Sequence, residues 1–270
     1  MAAATARYLD RTDKAFALLD RLKRAAPDYG RAFQEEGHLY RKLARPEEAI
    51  AAYMLAVRWN PALVASWNAL SDLNTQLGRT IEAQEAAAQA QRLQQLPREL
   101  LAVTNHIHEG RVLHAERIAR AFMQKNPRHT EGMRLLADIG TRLGVHEDAD
   151  FLLETAIELE PDNLQLRIDH IQVLRKRQKY EAALEQAKAL LARGPDNPMF
   201  KSLYAIESMQ AGQYDEALKV FDEVLAALPD DLPTLTSRGH ALKTAGRTQD
   251  AISSYTRAGG SSEGRRGGQG

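Results

Sequence analysis

Apolar residues along this chain occur in paired stretches, and a short polar break separates the two stretches of each pair. In residues 30–61 both stretches have helical spacing, and the second carries Ala49, Tyr53 and Ala56 on one face of the helix that it predicts. Each pair therefore predicts a helix, a turn and a second helix. Because an apolar stripe of this kind is stable only when it is buried, each helix pair needs a neighbouring pair to pack against.

The helix pairs repeat at a fixed period. Eight alanines recur at an interval of 34 residues with one interval of 32, and a proline follows six of them after twelve residues. The alanines are Ala15, Ala49, Ala83, Ala115, Ala149, Ala183, Ala217 and Ala251, and the prolines are Pro27, Pro61, Pro127, Pro161, Pro195 and Pro229. We interpret each proline as the end of a unit, so the chain consists of tandem repeats along its length.

A glycine precedes the repeated alanine by five residues in five of the units, and Ala44 and Gln178 replace it in two others. Since a residue without a Cβ readily adopts the left-handed conformation, these glycines predict the end of each first helix. The repeated alanine predicts the place where the second helix crosses the first, because a larger side chain there would push the two backbones apart. The glycines are Gly78, Gly110, Gly144, Gly212 and Gly246.

The residues of these units resemble the tetratricopeptide repeat over roughly residues 8–258. The matching residues are Trp67, Asn68, Ala69, Leu70, Leu77, Gly78, Arg79, Ala83 and Ala90 in one unit, and Phe33, Gly37, Tyr40, Ala49, Tyr53, Ala56 and Pro61 in another. Glu99 and Arg167 depart from the pattern where it prefers a large apolar residue, and Gly140 departs where it prefers tyrosine. The resemblance implies an all-α, right-handed superhelical α-solenoid of about eight helix-turn-helix repeats.

Two irregularities divide the array. The interval from Ala83 to Ala115 is two residues short, which predicts a shorter first helix and two sub-arrays, residues 1–95 and 98–258; a deletion absorbed by a loop is the alternative. In residues 259–270 six of the twelve residues are glycine, and this composition predicts a disordered tail. A polar capping helix is missing at this end, so Leu242, Ile252 and Tyr255 are expected to leave an apolar end exposed, through which the chain would self-associate.

Composition restricts the classes of function. The 36 basic and 36 acidic residues cancel, so net charge gives no indication of a nucleic-acid partner. Cysteine is absent, which removes disulfides and thiolate chemistry. The N-terminal residues lack the apolar stretch of a signal peptide, and no stretch approaches the ~20 apolar residues of a membrane helix. We therefore expect a soluble cytoplasmic protein that binds neither nucleic acid nor a membrane.

Residues with catalytic or metal-binding chemistry form no recognisable site. His106, His108 and His114 are clustered, but residues two apart on a helix point in different directions, and no carboxylate completes a metal site. Residues 243–247 resemble a phosphate loop only superficially, because Gly246 already has a role in a turn. Arg175, Lys176, Arg177 and Lys179 form the strongest charge cluster; it would receive an acidic partner or phosphate, or it is a solvated helix end. We expect no enzymatic activity, no metal and no cofactor.

In tetratricopeptide proteins the first helices line a concave groove, and the resemblance implies a partner-binding groove of mixed polar character here. Its differences from unit to unit favour an extended peptide or a protein surface as the partner. An aspartate at position 72 argues against a clamp for a chaperone's carboxylate, and no ladder of asparagines is present. The groove residues are Gln34, His38, Arg41, Asn68, Asp72, Gln76, Arg134, Asp138, Gln172, Arg175, His240 and Lys243.

Three hypotheses about function follow. The first is a non-catalytic scaffold that mediates protein–protein interaction through the groove. The second arises from residues 114–163, 180–191 and 237–258, which are similar to the N-terminal array of bacterial tetratricopeptide proteins that continue into a sulfotransferase domain. In that case the chain is a substrate-recruiting fragment without its catalytic domain. The third is a structural protein that assembles by stacking its uncapped end on another copy.

Overall fold

The computed structural model describes the backbone of residues 2–266 and the side chains of residues 2–259. Within this part of the chain there are sixteen α-helices and no strand, and no helix is both long and apolar enough to cross a membrane. The helices are α1 (Ala2–Tyr8), α2 (Thr12–Ala25), α3 (Gly30–Lys42), α4 (Pro46–Trp59), α5 (Val64–Gln76), α6 (Thr80–Gln95), α7 (Arg98–His108), α8 (Val112–Lys125), α9 (Thr130–Arg142), α10 (His146–Leu159), α11 (Leu164–Lys176), α12 (Tyr180–Arg193), α13 (Pro198–Gln210), α14 (Tyr214–Ala227), α15 (Leu232–Thr244) and α16 (Thr248–Arg266).

The repeated alanines lie on the second helix of each pair, as the sequence predicts. All eight are buried, with Ala83 the most exposed at 6% and Ala251 next at 2%. Helices pack as hairpins, for example α3 on α4 and α13 on α14, and several second helices also contact the next first helix, as α4 contacts α5 and α14 contacts α15. The prediction of small residues at close helix crossings is therefore confirmed.

Each hairpin turns through one residue with a positive φ. Five of these residues are the predicted glycines, with φ between +72° and +79°, and the other three are Asp10, Ala44 and Gln178, with φ of +55° to +57°. The next residue closes the turn by donating its amide to the first helix, as Arg45 does to the Tyr40 carbonyl at 3.0 Å. Asp10 belongs to the same series, although the sequence pattern did not single it out.

The first and second helices of a pair are matched in side-chain volume. Gly37 on α3 faces the ring of Tyr53 on α4, where an added Cβ would lie 2.7 Å from Tyr53 Cε1. Gly239 faces Tyr255 in the same way at 2.5 Å. At the equivalent position of another repeat, Ala205 lies in one buried cluster with Phe221, whose ring lacks the hydroxyl of tyrosine. Such pairing keeps each crossing at close-packed density.

The chain divides into two compact units, Met1–Ile139 and Gly140–Gly270. The 32-residue interval lies inside the first unit. There α6 has sixteen residues and α7 has eleven, two fewer than the thirteen of α3, and only Leu96 and Pro97 separate them. The prediction of a shorter first helix is therefore confirmed, whereas the boundary between residues 95 and 98 stays a prediction.

In the first unit α7 contacts elements two repeats earlier in the chain. Asn105 Oδ1 accepts a hydrogen bond from Asn60 Nδ2 at 3.0 Å, and its Nδ2 donates to the Ala62 carbonyl at 3.4 Å. Arg31, at the start of α3, forms an ion pair with Glu109, whose side chain is only 3% exposed. We call this set of contacts the α7 fold-back. It joins the second repeat directly to the fourth.

The C-terminal helix is longer than the sequence predicts. α16 continues through Arg266 rather than ending near Ala258. Extending an existing helix needs no new nucleation, which offsets part of the cost of its glycines. Residues 267–270 of the predicted tail lie outside the described residues. At the expected apolar end, Leu242 is fully buried and Ile252 is 51% exposed.

Candidate functional site

The predicted groove residues lie on first helices, and within each unit we call the surface that they form the first-helix face. In the first unit this face comprises side chains of α3 and α5, with Arg134 and Asp138 on α9. Asn68 and Gln76 are exposed. Gln34 is only 8% exposed and donates its Nε2 to Ser66 Oγ at 3.0 Å, so its amide links α3 to α5 instead of facing a partner. The prediction for Gln34 therefore needs this correction.

His38 lies half-buried on the same face and is held by the volume-matched tyrosine. The Tyr53 hydroxyl is 2.6 Å from His38 Nδ1, and the two rings meet edge to face. Burial lowers the pKa of His38 below its usual value, with Arg7 and Arg41 acting in the same direction and Glu35 opposing them. Burial also raises the pKa of Tyr53 to about 12. The hydroxyl is therefore the donor, and the imidazole is neutral at neutral pH.

Charged side chains on this face form ion pairs, and one of these pairs joins neighbouring repeats. Arg41 Nη2 lies 3.7 Å from Asp72 Oδ2, and the two side chains are 48% and 57% exposed. A pair as exposed as this contributes little to stability and is easily rearranged by a partner. Arg134 is half-buried and pairs with Glu131 at 2.7 Å, and Asp138 is also half-buried and has interactions within the protein. The first unit thus offers both signs of charge.

The strongest basic cluster of the sequence is used inside the second unit. Arg175 pairs with Glu207, which is fully buried on α13, and Arg177 and Lys179 pair with the buried Asp150. The prediction that the cluster either receives an acidic partner or is a solvated helix end is wrong for these three residues. Their acidic partners lie 27 to 32 residues away in the chain, where local sequence gives no indication of them.

Asp150 is the centre of a buried polar network. His170 Nε2 lies 2.6 Å from its Oδ1, and Lys179 Nζ donates to its Oδ2 at 2.9 Å. Burial acts to raise the pKa of Asp150, but the hydrogen bonds from Lys179 and His170 outweigh it, and the pKa is lowered. Glu154 completes a group with metal-ligand spacing. Arg177 and Lys179 already neutralise the central carboxylate, so this network is built for ion pairing.

The histidines near residue 110 are held by arginines. The rings of His106 and His114 stack edge to face with centroids 4.4 Å apart. Arg111 Nε donates to His106 Nδ1 at 2.9 Å, and Arg117 Nη2 lies 2.8 Å from His114 Nδ1. Burial, followed by the charge of Arg111, lowers the pKa of His106. One ring nitrogen of each histidine is therefore in contact with a guanidinium group.

The remaining predicted residues of the second unit lie on α11 and α15. Gln172, His240 and Lys243 are exposed. His240 Nδ1 is 3.1 Å from the Tyr255 hydroxyl, which repeats the His38 arrangement in the last repeat. Lys243 is exposed, and no carboxylate of the described residues pairs with its ammonium group.

Between α11 and α15 the first-helix face is apolar, which differs from the mixed polar lining that the sequence predicts. Met199, Ser202 and Ile206 of α13 border a pocket of about 470 Å³, with Phe221 and Val224 of α14 beneath them. We call it the α13–α15 pocket. Ile206 stands at the same repeat position as His38 and His240, eleven residues before the repeated alanine, but its apolar side chain did not fit the predicted polar lining.

Comparisons with known proteins support the repeat assignment. Residues 30–63 and residues 168–231 each match a family model described as tetratricopeptide repeat. A search of curated proteins finds no match. Among solved structures, MamA from Desulfovibrio magneticus is similar with a TM-score of 0.54 and 15% identity, over 64% of this chain and 99% of that one. A tetratricopeptide repeat protein from Parabacteroides merdae is similar with a TM-score of 0.52 and 15% identity, over 84% of this chain and 77% of that one.

At these identities the solved structures establish the fold alone. The two family matches and the structural neighbours concern the repeats, so the resemblance to arrays of sulfotransferase proteins stays a prediction. The matched segment 30–63 agrees in phase with the α3–α4 hairpin, since residue 30 begins α3. This chain is an all-α solenoid that contains tetratricopeptide repeats.

Proposed function

We propose that this chain is a non-catalytic scaffold that binds an extended peptide or a protein surface on its first-helix face. The observation that carries the proposal is the unequal use of polar groups. Gln34 and Glu207 are buried and bonded to side chains of other first helices, whereas Asn68, Gln172 and Lys243 on the first-helix face are exposed. A surface that differs from repeat to repeat suits one specific partner better than a repetitive ligand.

The electrostatics of this face favour a protein over nucleic acid. Asp72 and Arg41 lie beside each other in the first unit, and Lys243 is unpaired in the second. Binding to nucleic acid depends on many cations that neutralise successive phosphates, and a face with an exposed aspartate among its cations lacks that pattern. A partner with both charged and apolar side chains fits these residues.

Peptide display against the whole chain tests the proposal. We expect selected peptides to lose affinity by about tenfold on Asn68→Arg, Gln172→Glu or Lys243→Glu, because each reverses or adds charge on the first-helix face. Matched controls on second helices are Gln91→Arg on α6 and Lys219→Glu on α14, both exposed. The measurement is fluorescence anisotropy with each purified variant. Selected peptides that respond equally to the controls would overturn the proposal.

The sulfotransferase hypothesis gains no specific observation from the described residues. It rests on the resemblance of three segments and is tested by the DNA that follows the codon for Ala258. A phosphate-binding loop encoded there would support a recruiting role for this array, and an unrelated gene would refute it. The stacking hypothesis is tested by light scattering as a function of concentration.

A further inference from the structure

We propose that the α13–α15 pocket binds a large apolar side chain of an extended acidic peptide, and that a carboxylate three residues away on the peptide pairs with Lys243. The inference rests on the proposed function, since the pocket belongs to the first-helix face, and it names the class of ligand for the second unit. The occupant is thus a peptide with one apolar anchor and one acidic residue at a fixed spacing.

The pocket has the size and lining of a side-chain site. Its volume of about 470 Å³ is within the ~300–1,000 Å³ of ligand pockets. Phe221 and Val224 at its base are at most 2% exposed, and Met199 and Leu228 at its margin are 52% and 45% exposed. Methionine adapts its shape to different apolar ligands because its side chain is unbranched and polarizable. The exposed apolar margin makes a buried anchor residue favourable.

Several polar atoms around the pocket already have partners. Ser202 Oγ and Thr234 Oγ1 are 3.3 Å apart, and Asp231 Oδ2 accepts the Thr234 amide at 3.0 Å. Asn197 Oδ1 accepts the Met199 amide at 2.9 Å. These contacts cap α13 and α15 and leave those groups little need for a further polar partner. An apolar occupant therefore causes less desolvation cost than a polar one.

Charge along α15 fixes the position of the acidic group. From Ser237 at the pocket to Lys243 the helix rises by about 9 Å, at ~1.5 Å per residue. An extended peptide covers this distance in about three residues at ~3.3 Å each. The nearby Arg247 is paired with Asp250 at 2.7 Å, whereas Lys243 on α15 is exposed and has no carboxylate partner among the described residues.

The opposite end of the pocket carries the opposite sign. Asp231 caps α15 at the N-terminal edge, so a peptide carboxylate placed there would meet like charge. The acidic residue of the ligand is therefore directed towards Lys243. This asymmetry determines at which end of the pocket the acidic residue lies. It does not determine the chain direction of the peptide, so the test includes both directions.

The experiment uses the full chain and fluorescein-labelled twelve-residue peptides in a serine and glycine background. The probe peptides carry a leucine three residues before a glutamate, or the reverse order. We expect at least one order to bind, and replacing its leucine with serine to abolish binding. Replacing its glutamate with glutamine weakens binding by about tenfold, as expected for loss of one charged pair.

Protein variants separate the two contacts. Lys243→Glu is expected to weaken the glutamate peptide about tenfold and to restore affinity for a lysine peptide. Ser237→Phe is expected to fill the pocket and abolish binding of every leucine peptide, with circular dichroism as a check that the helices remain. Lys219→Glu on α14 is the matched control, since this exposed lysine lies outside the pocket.

The outcomes distinguish this inference from the proposed function. The inference is overturned if leucine peptides bind in neither order of leucine and glutamate, or if their binding is unaffected by Ser237→Phe and Lys243→Glu. The proposed function still stands in that case if the affinity of displayed peptides falls on substitution of Asn68 or Gln172. If no peptide depends on any first-helix variant, both are overturned. Binding that requires the leucine, the glutamate and Lys243 together supports the inference.

Discussion

The turn residue Ala44 gives a quantitative test of how the repeats are stabilised. It has a φ of +55° where five other turns have glycine. A Cβ in the left-handed region costs about 1–2 kcal/mol. Glycine removes that cost but increases the entropy of the unfolded chain, which costs about 0.4–1 kcal/mol. Ala44→Gly is therefore expected to raise the free energy of unfolding by about 0.5–1 kcal/mol.

The reciprocal change provides the control. Gly78 occupies the same turn position with a φ of +73°, and a Cβ added there would meet no atom within 4 Å. Gly78→Ala therefore changes the backbone cost without a packing clash, and it should lower stability by about the amount that Ala44→Gly adds. The two substitutions combined in one chain should nearly cancel, because they lie in separate turns.

Urea denaturation followed by far-UV circular dichroism measures both changes, and amide hydrogen exchange of α3 and α4 localises the first. The expected result is a rise in the midpoint for Ala44→Gly and a fall for Gly78→Ala, with unchanged slopes. If Ala44→Gly were neutral or destabilising while Gly78→Ala was destabilising, the strain attributed to residue 44 would be refuted. If neither changed stability, the turn conformation itself would be wrong.

Three further predictions concern packing and titration. Gly37→Ala should lower the free energy of unfolding by about 1–3 kcal/mol, because its Cβ meets the buried Tyr53 ring. In a Tyr53→Leu background the same substitution should become favourable, because the ring is absent and alanine favours the helix. Equal effects of Gly37→Ala in both backgrounds, measured by denaturation, would contradict close packing of Gly37 against Tyr53. Because burial lowers the pKa of His38, the unfolded chain binds the proton first, so stability should fall as pH decreases below 6.5, and His38→Gln should flatten that slope; an unchanged pH profile would contradict it. Asp150→Asn should cost about 1.5–3 kcal/mol by leaving its cationic partners without a carboxylate, and it should remove the loss of stability that occurs as pH falls below 3.8; a cost under about 0.5 kcal/mol would show the network to be dispensable.

Much of the fold follows from local features of the sequence. The repeated alanine and the turn glycine act within one helix pair, so their spacing alone indicates where helices cross and end. Asp10 was missed, although aspartate tolerates the left-handed region and its separation of five residues from Ala15 matches that of Gly78 from Ala83. The continuation of α16 was missed because composition describes average propensity and does not include the benefit of extending a formed helix.

The candidate site depends on contacts between repeats, and these are harder to predict. Gln34 occupies the same position in its repeat as the exposed Asn68, yet it is buried and its amide donates a hydrogen bond to Ser66 on the next first helix. Arg175 is likewise paired with Glu207 on the next first helix, and this pairing makes it less available to a partner. Ser66 and Glu207 each lie 32 residues beyond the side chain that they bind, which is close to one repeat length. Comparing each polar residue with the residues about one repeat further along the chain would therefore have indicated these pairs.

The α7 fold-back changes how the first unit should respond to perturbation. In a linear array of repeats each unit communicates only with its neighbours, and stability is a sum of nearest-neighbour terms. Arg31 and Glu109 connect units that are not adjacent, and Asn60 and Asn105 add a second connection. The second and fourth repeats should therefore lose their amide protection together, as one cooperative segment whose closure encloses the third.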